Sequence, residues 1–318
     1  MDYQTPPVIL IGMHRSGTTL VGSLLQRLGL HLGWMQQENW EALFFLERNE
    51  QLMQVCGGGW ESPDVLQSLL RYPEMRRQAI ELIRRDMESW RFLSYLGPRY
   101  LWKGRGPGVL TSPWGWKDPR NSFLLPLWLD LFPDARIIHI YRHPMDVARS
   151  LSTREGRRAK RQVSRLAGES VTEDARKRGL GIRHEKGLLR WYRRLWSVPQ
   201  VLSPLRRYEK LRVSATVSLE DGLRLWTEYV RECYAHVDRM PEQSMSVKYE
   251  DFLANPVPHL QSLRDFCGLS AGEDEVKSLC SVIRADRRYA YLEDDESRQV
   301  FEPHKEDEWV KRLGYDCD

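Results

Sequence analysis

The sequence predicts an α/β fold of three layers, a central parallel sheet covered by helices on both faces. Three observations carry this expectation. Two short runs rich in β-branched residues, "PVILIG" (7–12) and "ARIIHIY" (135–141), have the length and composition of buried strands. Each is followed by a segment with apolar residues at helical spacing, the alternation that a parallel sheet requires. A third run, "MSVKY" (245–249), follows another helical stretch.

The elements follow in order. "PVILIG" breaks at Gly12, and "TTLVGSLLQRLG" (18–29) carries leucines at helical spacing and stops at Gly29. Residues 40–55 and 74–96 read as helical, and "GRGPG" (104–108) as a loop. "NSFLLPLWLDLF" (121–132) is a helix leading into the second strand. Pro144 suits the first turn of a helix predicted to end at about Leu151. From Ser152 to His184 arginine dominates and large apolar residues thin out, which predicts an exposed insertion at about 152–185, placed to act as a lid. Helices at about 186–197 and 219–237, the third strand and a short helical tail complete the chain. Its 318 residues, 41% hydrophobic, read as a single domain over 1–318 carrying that insertion.

The net charge of +4 does not make the whole chain a polyanion binder. Positive charge is local: Arg154 to Arg194 holds fourteen Lys/Arg against five Asp/Glu. The first residues lack a basic signal region, and no run approaches the ~20 apolar residues of a membrane span. The five cysteines are scattered and never form C-x-x-C, so they read as reduced thiols of a cytoplasmic protein. The eight histidines never pair at ligand spacing, and "EDDE" (293–296) reads as a solvated run, so no metal is expected.

Chemistry concentrates in "GMHRSGTTL" (12–20). Gly12 and Gly17 keep the spacing of the phosphate loop G-x-x-x-x-G-K-[ST], but Thr18 stands where its lysine belongs. Without that lysine the loop is ill suited to a magnesium-bound triphosphate. Arg15 supplies the cation from inside the loop, and Ser16, Thr18 and Thr19 supply hydroxyls at a helix start, where free amides attract an anion. A glycine turn that merely caps a helix would account for the glycines but not for the cation and hydroxyls in register.

"MHRSGTTLVGSLL" resembles the 5′-phosphosulfate loop of the sulfotransferases, which use 3′-phosphoadenosine-5′-phosphosulfate (PAPS). Arg15 matches the Lys or Arg that precedes Ser-Gly-Thr in that family. "YRHPMDVARS" resembles the second family motif, a strand-end arginine (Arg142) followed eight residues later by a helical serine (Ser150). "WGWKDPRNS" and "VKYEDFLANP" (247–256) are similar to bacterial members. The resemblance implies a sulfotransferase fold of the P-loop type. It implies PAPS as donor, His14, Arg15, Ser16, Gly17, Thr18 and Thr19 around its 5′ side, and Arg142 and Ser150 at its 3′-phosphate. The sequence departs from the cytosolic members at Lys117, a second cation here followed by Asp118, Pro119 and Arg120 without the histidine that serves those members as base. Other branches use a glutamate after the first loop. Glu41 is the leading candidate, since its apolar neighbours would desolvate it; Glu38, Glu47 and Asp118 are alternatives.

The expected acceptor is a hydroxyl on a saccharide or small metabolite. The arginine-rich stretch would help hold the nucleotide or steer an anionic glycan. No base-reading fold surrounds it, so nucleic acid is not an expected partner. A nucleotide kinase or NTPase with a degenerate loop, and a non-catalytic nucleotide-binding regulator, remain as alternatives. Trp34, Trp40, Trp60, Trp102, Trp114 and Trp116 flank the motifs, with core packing as their expected role and sugar stacking open to one or two.

Overall fold

A computed structural model describes residues 3–37, 39–166 and 215–317. Four parallel strands form the sheet: β1 (Val8–Ile11), β2 (Gly115–Lys117), β3 (Arg136–Tyr141) and β4 (Ser244–Lys248), in the spatial order β2-β1-β3-β4. The helices that precede or flank them are α1 (Thr18–Arg27), α2 (Leu43–Val55), α3 (Leu66–Arg71), α4 (Pro73–Met87), α5 (Leu93–Leu96), α6 (Asn121–Leu131) and α7 (Pro144–Leu166). After the undescribed segment come α8 (Leu219–Val237), α9 (Tyr249–Ala254), α10 (Pro256–Phe266), α11 (Glu273–Cys280), α12 (Asp295–Phe301) and α13 (Glu308–Arg312).

Strand side chains alternate between faces, and both faces of this sheet are buried. Ile9, Ile11 and Ile137 enter one core with Trp116, Trp128 and Phe45, whose ring stacks on Trp116 at 3.9 Å. Val8, Leu10, Ile138 and Ile140 enter the opposite core with Leu24 and Leu25 of α1 and Phe252 of α9. This double burial explains why the strands read as unbroken apolar runs. A third cluster joins Met13 of the first loop to α7, α8 and the C-terminal Tyr291, Phe301 and Tyr315.

The chain leaves β1 toward β2 on one side and β3 toward β4 on the other. The sheet therefore reverses its winding between β1 and β3, and ligands of open α/β sheets bind at the carboxyl ends of such a pair. Both motifs of interest lie there.

Two elements differ from the sequence expectations. β2 has only three residues, Gly115, Trp116 and Lys117, too short a run to show a strand pattern; it pairs Gly115 with Val8. A Cβ at Gly115 would lie 1.9 Å from the Val8 carbonyl oxygen, so only glycine permits this pairing. α7 does not end near Leu151 but continues to Leu166. Arginine is a good helix former, and buried Leu151, Glu155 and Gln162 give the arginine-rich part a docked face that composition alone hides. Gly222 of α8 lets the two helices meet closely, since a Cβ there would stand 2.9 Å from the Ala148 Cα. The expected insertion is thus helical as far as Leu166; its remainder, and the helix expected at 186–197, lie outside the described residues.

Candidate functional site: two phosphate motifs on one arginine-lined cleft

The first loop is closed by its own side chains and bent at three positive φ angles, at Gly12 (130°), Arg15 (73°) and Gly17 (97°). Ser16 Oγ donates to the Met13 carbonyl at 2.6 Å, and the Gly12 N–H donates to Ser122 Oγ at 3.1 Å. Gly17 stands at the N-cap of α1 in left-handed conformation, and a Cβ there would lie 2.2 Å from the Tyr249 ring. A glycine cap makes no side-chain bond to the first-turn amides, which leaves them available to an anion. Thr18 is buried and Thr19 exposed. His14 is turned inward, its ring edge-on to Trp60 at 4.6 Å, and its Nε2 has no hydrogen-bond partner. Burial, and then the charges of Arg154, Arg120 and Lys117, hold His14 well below the ordinary histidine range, so it is neutral.

The second motif begins where β3 ends. Arg142 Nη2 donates to Asp146 Oδ2 at 2.9 Å and to the Arg287 carbonyl at 2.8 Å, and its guanidinium lies 5.0 Å from the Tyr249 ring centre. Its Nε has no partner. Ser150 follows two turns along α7, and its Oγ accepts from Arg15 Nε at 2.8 Å. The loop arginine and the helical serine, 135 residues apart in sequence, are therefore in direct contact.

Both motifs open into one cleft of about 590 Å³. Arg15 and Arg142 line it from the loops, Arg149, Arg154, Arg157 and Arg161 from α7, and Arg287 from the C-terminal part; among the described residues Asp146 is the single acid in its lining. Burial together with Arg154, Arg142 and Arg287 lowers the Arg15 pKa from its ordinary value, the signature of crowded positive charge. The C-terminal part also braces this wall. The Arg149 Nη1 donates to the Ala290 carbonyl at 2.7 Å, and the Tyr291 N–H donates to Asp146 Oδ1 at 2.8 Å. Buried Glu250 accepts from the His143 N–H (2.9 Å) and from the Tyr315 hydroxyl (2.8 Å), which pins the turn that carries Arg142.

Lys117 ends β2, beside the first loop, and its Nζ lies 3.0 Å from Glu41 Oε1. Both side chains are almost wholly buried, 1% and 6% exposed. Glu41 is thus desolvated as its neighbours suggest, but its carboxylate is not alone: the expected second cation and the expected base form one ion pair. Asp118 is buried and accepts from Arg120 at 2.9 Å and from Asn49 at 2.9 Å. Burial raises its pKa, against the pull of Arg120. Glu47 is partly exposed beside Arg48, and Glu38 lies outside the described residues. Of the six tryptophans, Trp114 and Trp116 are core, Trp102 is exposed, and Trp60 packs on His14 of the phosphate loop. Among the described residues no three His, Cys, Asp or Glu side chains gather into a metal-binding group, and no helix is long and apolar enough to cross a membrane. All five cysteines are unpaired.

Known families bear on this geometry directly. Residues 6–197 and 197–274 match the Sulfotransferase family, and that match takes in both loops and the Lys117 strand. This chain is a member of the sulfotransferase family. The sulfotransferase also resembles solved structures at low identity. A sulfotransferase domain from the curacin biosynthetic pathway is 15% identical over 90% of this chain and 81% of its own, with a TM-score of 0.44. The sulfotransferase domain of the Synechococcus PCC 7002 olefin synthase is 16% identical over 90% and 84%, with a TM-score of 0.41. A sulfotransferase from Mycobacterium avium is 15% identical over 94% and 76%, with a TM-score of 0.40. No curated protein sequence matches the chain.

Sequence reasoning named both loops of this sulfotransferase but missed their supports. Asp146 was open to it, four residues after Arg142 on a helix, the spacing of an ion pair. Arg287 gave no local signal, and Trp60 and Glu250 stood in stretches already singled out without a hint of their contacts, because only the tertiary fold brings them to the site.

Proposed function

We infer that this sulfotransferase moves a sulfuryl group from PAPS to a hydroxyl of a saccharide or small metabolite, as a metal-independent cytoplasmic enzyme. One observation carries the reading: Arg15 of the first loop and Ser150 of the second motif touch at 2.8 Å on an arginine-lined cleft, so a single nucleotide can bridge the two. The residues suit such a ligand. The uncapped amides of α1, Arg15, Ser16, Thr18 and Thr19 would hold the 5′ side with His14 beneath the loop. Arg142, with an unpartnered Nε, and Ser150 would hold the 3′-phosphate.

When bound, PAPS supplies the activated sulfuryl group. Arg15 and the α1 amides would hold its 5′ phosphate side and offset the negative charge of the leaving group, and such preset donors lower a barrier without a metal ion. Glu41 takes the proton of the acceptor hydroxyl in this reading, and Lys117 holds the carboxylate in place and adds positive charge beside the loop.

Calorimetric titration with adenosine 3′,5′-bisphosphate, AMP and ATP tests the donor assignment. The bisphosphate should bind roughly ten- to hundred-fold more tightly than AMP, the worth of a charged hydrogen-bond set of about 1.5–3 kcal/mol. Equal affinity for AMP would remove Arg142 and Ser150 from the 3′-phosphate. Transfer of labelled sulfate should survive EDTA; an absolute need for magnesium with ATP would favour the kinase reading, and nucleotide binding without any transfer the regulator.

A further inference from the structure

The cleft holds more positive charge than one nucleotide uses. A PAPS molecule carries about four negative charges, at its 3′-phosphate and its phosphosulfate. Seven arginines and one aspartate line the cleft, which leaves a surplus of about two. The surplus has a definite place. At 3.6 residues per turn, Ser150, Arg154, Arg157 and Arg161 stand within about 60° of one another on α7, and all four line the cleft. The row runs for about 16 Å from the serine outward.

Its root lies beside the phosphate loop. The Arg154 guanidinium sits 4.9 Å from the Trp60 ring, the same ring that meets His14. Glu155, on the same helix, is occupied by Arg154 (2.7 Å) and Arg158 (3.6 Å). Arg157 and Arg161 are exposed and form no ion pair among the described residues. Two guanidiniums one helical turn apart, about 6 Å, therefore face the cleft uncompensated beyond the loop. No aromatic residue among the described residues lines the cleft, so these offer no platform on which bases could stack.

We propose that Arg157 and Arg161, with Arg154 at their root, form an acceptor subsite, and that the acceptor is a saccharide already bearing two or more sulfate or carboxylate groups. The subsite rests on the donor reading for its place beside the transferred group. Guanidinium forks suit such oxyanions, and a row of them sets the register of a chain that must present one hydroxyl to the loop.

The test uses the full chain saturated with adenosine 3′,5′-bisphosphate. A sulfated and carboxylated heparin tetrasaccharide, uncharged maltotetraose and a deoxythymidine decamer are titrated in turn. The heparin tetrasaccharide should bind and maltotetraose should not. The double variant Arg157→Gln/Arg161→Gln, both on an exposed helix face, should weaken tetrasaccharide binding about tenfold or more while bisphosphate affinity stays within about twofold. Wild-type tetrasaccharide binding in the variant would overturn the subsite, and so would an equal loss of bisphosphate affinity, which would give the arginines to the donor. Tighter binding of the decamer than of the tetrasaccharide would overturn the saccharide assignment. Should the wild-type chain bind the tetrasaccharide through these arginines but not the bisphosphate, the donor reading falls and the anionic subsite stands. Should it bind the bisphosphate and not the tetrasaccharide, the subsite alone falls.

Discussion

Glu41→Gln separates the two jobs that the Glu41–Lys117 pair can perform. The pair is 3.0 Å long and almost fully buried, so removing the carboxylate charge leaves the Lys117 ammonium without a counter-ion in a poorly solvated place. Breaking a buried pair in this way costs about 3–5 kcal/mol, and the amide oxygen, still an acceptor, keeps the loss near the lower end. For a large domain each kcal/mol lowers the melting temperature by about 2–4 °C, so a fall of roughly 6–12 °C is expected. If Glu41 also takes the acceptor proton, kcat falls by roughly 10²–10⁴ with bisphosphate affinity retained. The double variant Glu41→Gln/Lys117→Met then divides stability from catalysis. It removes both charges, and an apolar side chain of similar length in place of a buried pair is often neutral for stability, so most of the melting temperature should return. Activity should not return with it. Thermal melts and single-turnover transfer of labelled sulfate measure the two quantities. A Glu41→Gln enzyme at the wild-type rate, or a double variant that recovers rate and melting temperature together, would refute the catalytic role and leave a structural ion pair; Glu47→Gln and Asp118→Asn would then test the remaining carboxylates.

Arg15→Ala should weaken bisphosphate binding from the 5′ side and slow transfer, and full activity in that variant would show that the loop holds no phosphosulfate. Gly17→Ala places a Cβ 2.2 Å from the Tyr249 ring at a φ of 97°, so it should lower both the melting temperature and bisphosphate affinity; calorimetry showing neither would deny the tight cap. Acid should destabilise the fold. Burial above all holds His31 at about 4, His139 at about 3 and His143 at about 2, against 6.5 in the unfolded chain. Below pH 6.5 the unfolded chain binds protons that the folded one refuses, so stability is complete above that pH and declines beneath it, by about 2 kcal/mol per histidine at pH 5. Melting temperatures that do not fall between pH 7.5 and pH 5 would contradict neutral burial of these rings.

The parts of the site that the sequence made legible are those built from consecutive residues. Gly12, Arg15 and Gly17 act through backbone conformation and a helix start, both written locally, and Arg142 and Ser150 are spaced along one strand–helix turn. β2 stayed hidden because three residues carry no periodicity, and the reach of α7 because its buried positions, Glu155 and Gln162, are polar. The Glu41–Lys117 pair joins residues 76 apart in sequence, so each could be nominated alone while their pairing could not. The direction of the arginine row was equally out of reach: a charge-rich stretch reads as a solvated face until the helix shows which of its arginines line the cleft.

The hold of the C-terminal part on Arg142 and Arg149 has a consequence for how the enzyme comes into being. By the time Ser150 has left the ribosome, both phosphate motifs exist as sequence. The carbonyls of Arg287 and Ala290, the Tyr291 amide and the Tyr315 hydroxyl arrive well over a hundred residues later. A nascent chain with β1 and β3 already paired would therefore present its arginines unbraced, and completion of the arginine-lined cleft is among the last events of synthesis. Non-local closure of this kind is slow, because the entropy of a long loop is spent before any contact repays it. It also makes the site a sensor of integrity: a chain cut ahead of Ala285 keeps every strand and both motifs yet loses the wall against which they are aligned.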